Sequence, residues 1–208
     1  MDATFVKDLI KGKIAEIIFE QMFRESGEYT ILHSGYEYTL PELAQYQHLT
    51  EIKAVIENIR NAPDFVLISQ DKKRVYLVEV KYRRNRNSRE LKQICENTLQ
   101  IWNPSWLFVA SPDGFFFEPC NDVVNKNDGQ IGPLYDKWVK NDVQSEYLKL
   151  LNQGFFEVKF AFEGLADENV WKRPAEGLLS VGELARHIAY WEAVRLAGEA
   201  RSRNKATI

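Results

Sequence analysis

Pro63-Asp64-Phe65-Val66-Leu67-Ile68 and Arg74-Val75-Tyr76-Leu77-Val78-Glu79-Val80-Lys81 are the clearest β-prone runs of the chain, and the polar Gln70-Asp71-Lys72-Lys73 between them predicts a β-hairpin. Residues two apart on a strand project to the same face, so Glu79 and Lys81 leave the end of the second strand side by side. Asp64 opens the neighbouring strand, and antiparallel pairing brings it to that same end. Glu-x-Lys alone carries no signal, because it recurs at Glu51/Lys53, Glu90/Lys92 and Glu157/Lys159. Those three lie in segments of helical spacing, and only Glu79/Lys81 ends a strand that follows a Pro-Asp.

Working outward, apolar residues from Phe5 to Phe23 (Ile10, Ile14, Ile17, Ile18, Met22) predict an amphipathic helix. Tyr29-Thr30-Ile31-Leu32 predicts a short strand, and Leu40 to Asn61, with starts at Pro41 and Thr50, one or two helices. Arg89 to Trp102 has helical spacing, Trp106 to Ala110 is a strand, and Ser111-Pro112-Asp113-Gly114 is a turn. This order describes an α/β fold of the α+β kind, a mixed sheet flanked by helices. The Asn-, Asp- and Gly-rich stretch from Asn121 to Gly132 is expected to be a loop that divides residues 1–132 from a helical segment, 133–208. In that segment Tyr135–Leu165 and Ser180–Ala200 are expected helices, the second opened by a Ser180/Glu183 capping box. Phe155 to Phe162 fits strand alternation as well as a helical face, and helix is the choice made here.

The totals limit what such a fold can do. A chain of 208 residues, 45% hydrophobic and 12% aromatic, can bury a core. Its 27 basic and 30 acidic residues give a net charge of −3, so a nucleic-acid site has to be a local patch. Cys95 and Cys120 have neither metal-ligand spacing nor a disulfide framework, which suits structural thiols in a reducing compartment. Without a leader-like start or a run of 18 apolar residues, the expected location is cytoplasmic, with no membrane partner.

Two carboxylates and a lysine at one sheet end suit phosphoryl chemistry. Hard Mg²⁺ or Mn²⁺ takes carboxylate and carbonyl oxygens and keeps positions open for water and substrate phosphate. Asp64 and Glu79 are the expected ligands, with the Val80 backbone carbonyl as a further one. Lys81 would orient or help deprotonate the attacking water and stabilise charge developing on phosphorus. The plain alternative is a solvated Glu79/Lys81 pair on an edge strand with Asp64 as a turn residue. On the first helix, Glu16 and Glu20 lie one turn apart and either could face the site.

In order and setting, Gly12-Lys13-Ile14-Ala15-Glu16, Pro63-Asp64-Phe65 and Val78-Glu79-Val80-Lys81 resemble the PD-(D/E)xK nuclease superfamily over roughly residues 10 to 120. The resemblance implies a restriction-endonuclease-like fold and divalent-metal phosphodiester hydrolysis, with DNA favoured over RNA as the nucleic-acid partner. It selects Glu16, four residues after Gly12, as the helix carboxylate, and implies a weaker polar role for Gln93 or Gln100. Directly after the motif, Arg83, Arg84, Arg86, Arg89 and Lys92 form a basic stretch suited to phosphate contacts or to a solvated loop. A catalytically inactive nucleic-acid-binding module with the same fold is the alternative.

Phe162-Glu163-Gly164-Leu165, Trp171 to Gly177 and Ser180 to Ile188 resemble the start of a DinB-like four-helix bundle, across residues 155–200. His187 stands at the first metal-ligand position of that family, but His33 and His48 do not match its later ones, and the resemblance spans only about two helices. The stripe Leu184, Ile188, Trp191, Leu196 is expected to pack on the sheet domain or on a second chain as a homodimer.

Overall fold

The hairpin forms where its sequence places it. A computed structural model of the chain describes residues 3–34, 62–164, 166–170, 172, 173, 180, 182 and 183. In chain order its elements are α1 (Ala3–Glu25), β1 (Tyr29–His33), β2 (Phe65–Ser69), β3 (Val75–Tyr82), α2 (Ser88–Ile101), β4 (Trp106–Ser111), β5 (Gly114–Pro119), α3 (Cys120–Asn125) and α4 (Asn141–Ala161). A short 3₁₀ turn follows at Asp167–Asn169. The sheet order is β1-β2-β3-β4-β5. Only β3 and β4 run parallel, as the intervening α2 allows.

The sheet is covered on both faces. Phe65, Leu67, Tyr76, Val78, Val80, Phe108, Phe115 and Phe117 form one core with Ala15, Ile18, Phe19, Met22 and Phe23 of α1 and Tyr147 and Leu151 of α4. On the other face Leu107 and Val109 pack with Leu91 and Cys95 of α2 and Cys120 and Val123 of α3. Strand β4 is thus buried on both sides, which is why its sequence reads as a continuous apolar run rather than an alternating one. Beside this, Val6 and Ile10 of α1 meet Phe162 and Val170, so the segment after α4 folds back onto the first helix.

Three sequence expectations change. Cys120–Asn125, expected as the start of a loop, is a helix anchored by buried Cys120 and Val123. Gly114–Pro119 is a strand that the sequence reading left beyond the turn. The helix expected from Tyr135 starts at Asn141, because the chain before it is tied to the sheet: Leu134 N–H donates to the Phe115 carbonyl, and Asp136 accepts from Asn141 N–H. The Phe155–Phe162 ambiguity resolves as helix to Ala161, with Phe162 buried and Phe156 and Phe160 exposed. At Ser180 the capping box forms reciprocally: Glu183 N–H donates to Ser180 Oγ (3.2 Å) and Ser180 N–H to Glu183 Oε2 (2.7 Å). The expected helices over 40–61 and 184–200, with His48, His187, Leu184, Ile188, Trp191 and Leu196, lie outside the described residues. No described helix is long and apolar enough to cross a membrane.

Candidate active site

At the end of β2 the ladder stops, and a side chain continues it. Phe65 is the last β2 residue paired with β3, opposite Val78. Two residues further along β3, Val80 N–H donates to Asp64 Oδ2 (2.8 Å). A strand residue sends its N–H and C=O to the same side. The Val80 carbonyl therefore also leaves toward the Asp64 edge, beyond the end of β2. Asp64 is itself held by its backbone, whose carbonyl accepts from Ser34 N–H (3.0 Å). Glu79 and Lys81, on either side of Val80, form a salt bridge with each other.

Glu16 reaches this group from α1, and Glu20 does not. Glu16 Oε2 accepts from Lys13 Nζ (2.9 Å) and feels the charges of Asp64 and Lys81. Glu20 is bound to Arg24 (2.7 Å) and His33 (3.2 Å) near β1. The helix register that buries Ala15, Ile18 and Phe19 under the sheet turns Glu16 toward the β3 end.

Burial, with the charges of neighbouring groups acting on it, sets the protonation of the group. Burial first, and then the Asp64 charge, push the Glu16 carboxyl up to about 7, against the opposing pulls of Lys13 and Lys81. Burial also raises Glu79, with Lys81 lowering it and Asp64 adding to the rise. Burial works to lower Lys81, yet Glu79, Asp64 and Glu16 together hold it above the ordinary lysine range. Lys81 is therefore a cation at neutral pH.

These shifts make stability fall as pH rises. The native protein keeps a proton on Glu16 up to a pH of about 7, whereas the unfolded chain releases it near the ordinary value of 4.5. Across that window folding takes up a proton, so stability is lost with a slope of up to about 1.4 kcal/mol per pH unit. Glu79 acts with the same sign. In chelator, thermal melting of the wild type is expected to drop over this window and that of Glu16→Gln to drop less. Parallel pH profiles for the two would contradict the placement of Glu16.

A cleft of about 650 Å³ opens beside the group, between α1 (Asp8, Lys11, Gly12, Lys13, Glu16) and the β3 end with its loop (Val80 to Asn85), closed by Glu90 of α2. Asp64 and Glu79 are not among its lining residues; they are joined to it through Val80 N–H and Lys81, which do line it. Gly12 sits mid-helix, where glycine costs roughly 0.5–1 kcal/mol relative to alanine. A Cβ at Gly12 would meet nothing within 4 Å, so packing does not require the glycine. What it leaves is open space on the cleft wall. Lys11 and Lys13 bring positive charge that the sequence reading did not assign, although the Lys13/Glu16 spacing is visible on a helix.

The basic stretch divides. Arg83 is bound to Glu90 (2.6 Å), and Lys92 to Asp128 (3.1 Å). Arg86 is bound to Asp113 (2.6 Å) and lies 3.9 Å from the Phe116 ring centroid. Arg84 and Arg89 are exposed with no ion pair among the described residues, and of these two only Arg84 lines the cleft. Gln93 is spent on Asn97 (3.0 Å), and neither it nor Gln100 lines the cleft. Arg84→Ala is therefore expected to flatten the salt dependence of nucleic-acid affinity by about 0.7–0.9 log-log units, one phosphate's share, and Arg86→Ala to leave it unchanged. Equal slopes for wild type and Arg84→Ala would place Arg84 in solvent.

Among the described residues, no group of three or more His, Cys, Asp or Glu side chains is arranged to hold a metal ion. A magnesium site needs less, because Mg²⁺ binds through one or two carboxylates and keeps several waters. The donor chemistry fits: hard carboxylates, of which burial and then the Asp64 charge raise Glu16 and burial chiefly raises Glu79, and a main-chain carbonyl on the same edge. No family model matches the chain, and neither a curated protein nor a solved structure matches it.

Proposed function

We propose that this protein is a divalent-metal-dependent nuclease that hydrolyses phosphodiester bonds, with DNA favoured over RNA. The observation that carries the reading is the meeting of Glu16, Asp64, Glu79 and Lys81 at one sheet end, from α1, the residue before β2, and β3, beside a cleft lined by basic and acidic side chains. Restriction-endonuclease-like is the fold reading that goes with it, and the five-stranded mixed sheet with helices on both faces supports it. Asp64, Glu79 and the Val80 carbonyl would hold Mg²⁺ or Mn²⁺, which supplies Lewis-acid activation of the phosphodiester.

The chain's own residues supply the rest. Lys81, kept charged by three carboxylates, stabilises negative charge on the phosphate oxygens and is unsuited to act as a base. Glu16, on the cleft wall beside the charges of Asp64 and Lys81, is the carboxylate placed to orient the attacking water or accept its proton. Arg84, which has no ion pair among the described residues, holds the backbone of the substrate, whereas Lys11 and Lys13 are paired within α1 to Asp8 (3.3 Å) and Glu16 (2.9 Å).

One observation favours the second reading, a nucleic-acid-binding module without chemistry. Glu79 is engaged by Lys81, and one Asp64 oxygen by Val80 N–H, so both carboxylates already have protein partners. Calorimetric titration with Mg²⁺ separates the two. The nuclease reading expects binding heat that disappears in Asp64→Ala, and the binding-module reading expects none in either protein.

A further inference from the structure

The cleft has a feature that phosphate hydrolysis does not require. Tyr82, the last residue of β3, lines it one position beyond Lys81. Its ring is half-buried and fixed edge-on by Phe155 of α4, with centroids 4.4 Å apart and planes at 62°. Lys11 Nζ lies over the ring, 5.6 Å from the centroid, on a flexible stem. Gly12 of α1 lines the same cleft and leaves open space there, since a Cβ would meet nothing within 4 Å. An oriented aromatic ring next to a cationic phosphate site is the combination by which proteins hold unpaired bases.

A base whose face lies on a side chain has left the stack of a duplex, so a stacking ring in the cleft selects for a single strand. We infer that the cleft takes single-stranded DNA, with one base stacked on Tyr82 and the adjoining phosphate held by Lys81 and Arg84. The fate of that phosphate rests on the nuclease reading above. The stacked base does not. Because every base has a π-face, recognition of this kind is tolerant of sequence.

The test is fluorescence anisotropy with one labelled mixed-sequence oligodeoxynucleotide, free or annealed to its complement, in chelator. Tighter binding of the single strand is expected. Tyr82→Leu should weaken it about 5- to 100-fold, the range for loss of one base–aromatic stack, and Tyr82→Phe should retain it. Gly12→Leu keeps the ring and fills open space in the cleft, so it should weaken single-strand binding too, even if Tyr82→Leu loosens the contact with Phe155. Circular dichroism establishes that each variant is folded. The inference is overturned if the duplex binds as tightly as the single strand, if no single-strand binding is measurable, or if Tyr82→Leu and Gly12→Leu both bind like wild type. Cleavage with Mg²⁺ on the same preparations separates the two claims. Cutting that persists with unchanged binding in both variants removes the stacking site and leaves the nuclease. Tyr82-dependent binding without any cutting removes the nuclease and leaves the stacking site.

Discussion

Replacing Asp64 or Glu79 with alanine is expected to abolish metal-dependent cleavage, lowering the single-turnover rate by at least about 10²–10³-fold, with the fold retained. Each change removes one of the two side-chain ligands of the proposed metal. The structural cost is small and can be isolated. Asp64→Ala leaves Val80 N–H without its acceptor, a loss of about 1–3 kcal/mol for a buried donor. Removing one of several crowded carboxylates offsets part of that cost, because Asp64 raises both Glu16 and Glu79. Asp64→Asn keeps an acceptor for Val80 N–H and removes only the charge, so it should be inactive yet melt close to wild type. Full Mg²⁺-dependent activity in Asp64→Ala or Glu79→Ala would show that the centre is elsewhere.

The largest stability effect is expected at Phe108. This side chain is fully buried on β4 and meets the rings of Phe19, Phe23, Phe115 and Phe117 at centroid distances of 4.9, 6.3, 5.7 and 6.3 Å. Phe108→Ala should cost about 3–5 kcal/mol, the lost transfer energy plus the cavity. For a chain of this size that lowers the melting temperature by roughly 6–20 °C. Phe160→Ala is the control: Phe160 is 70% exposed, and its loss should stay within about 0.5 kcal/mol. Urea melts read both, as a lower midpoint at unchanged slope for Phe108→Ala. Similar midpoints for Phe108→Ala and wild type would mean that α1 and α4 do not pack on the sheet as described.

What the sequence discloses follows the range of the physics. The hairpin is legible because a period-two pattern is a local property of a half-buried strand, and α1 because Ile10, Ile14, Ile18 and Met22 recur about one turn apart. The meeting of Asp64 with Glu79 and Lys81 follows from hairpin pairing alone. The choice between Glu16 and Glu20 does not, because it depends on how α1 rolls onto the sheet. Strand β5 is hidden by the Pro112-Asp113-Gly114 turn residues that lead into it and by Pro119 at its end, and α3 by a polar composition in which two buried side chains suffice for docking. The arginines are visible as charges, but their partners are not. Asp113 lies 27 residues from Arg86 and Asp128 lies 36 from Lys92, so which cations stay available for phosphate is a tertiary fact. The cleft is tertiary for the same reason, since Lys11, Gly12 and Lys13 reach it only when α1 packs beside β3.

The central claim is chemical, and direct observation of the chemistry tests it best. Purified wild-type protein is incubated with plasmid and with single-stranded and duplex oligonucleotides, in Mg²⁺, in Mn²⁺ and in chelator, and the products are resolved on denaturing gels. The account predicts cleavage in either metal, none in chelator, and none by Asp64→Ala. Intact substrates in both metals, with a protein that is folded and binds nucleic acid, would contradict it.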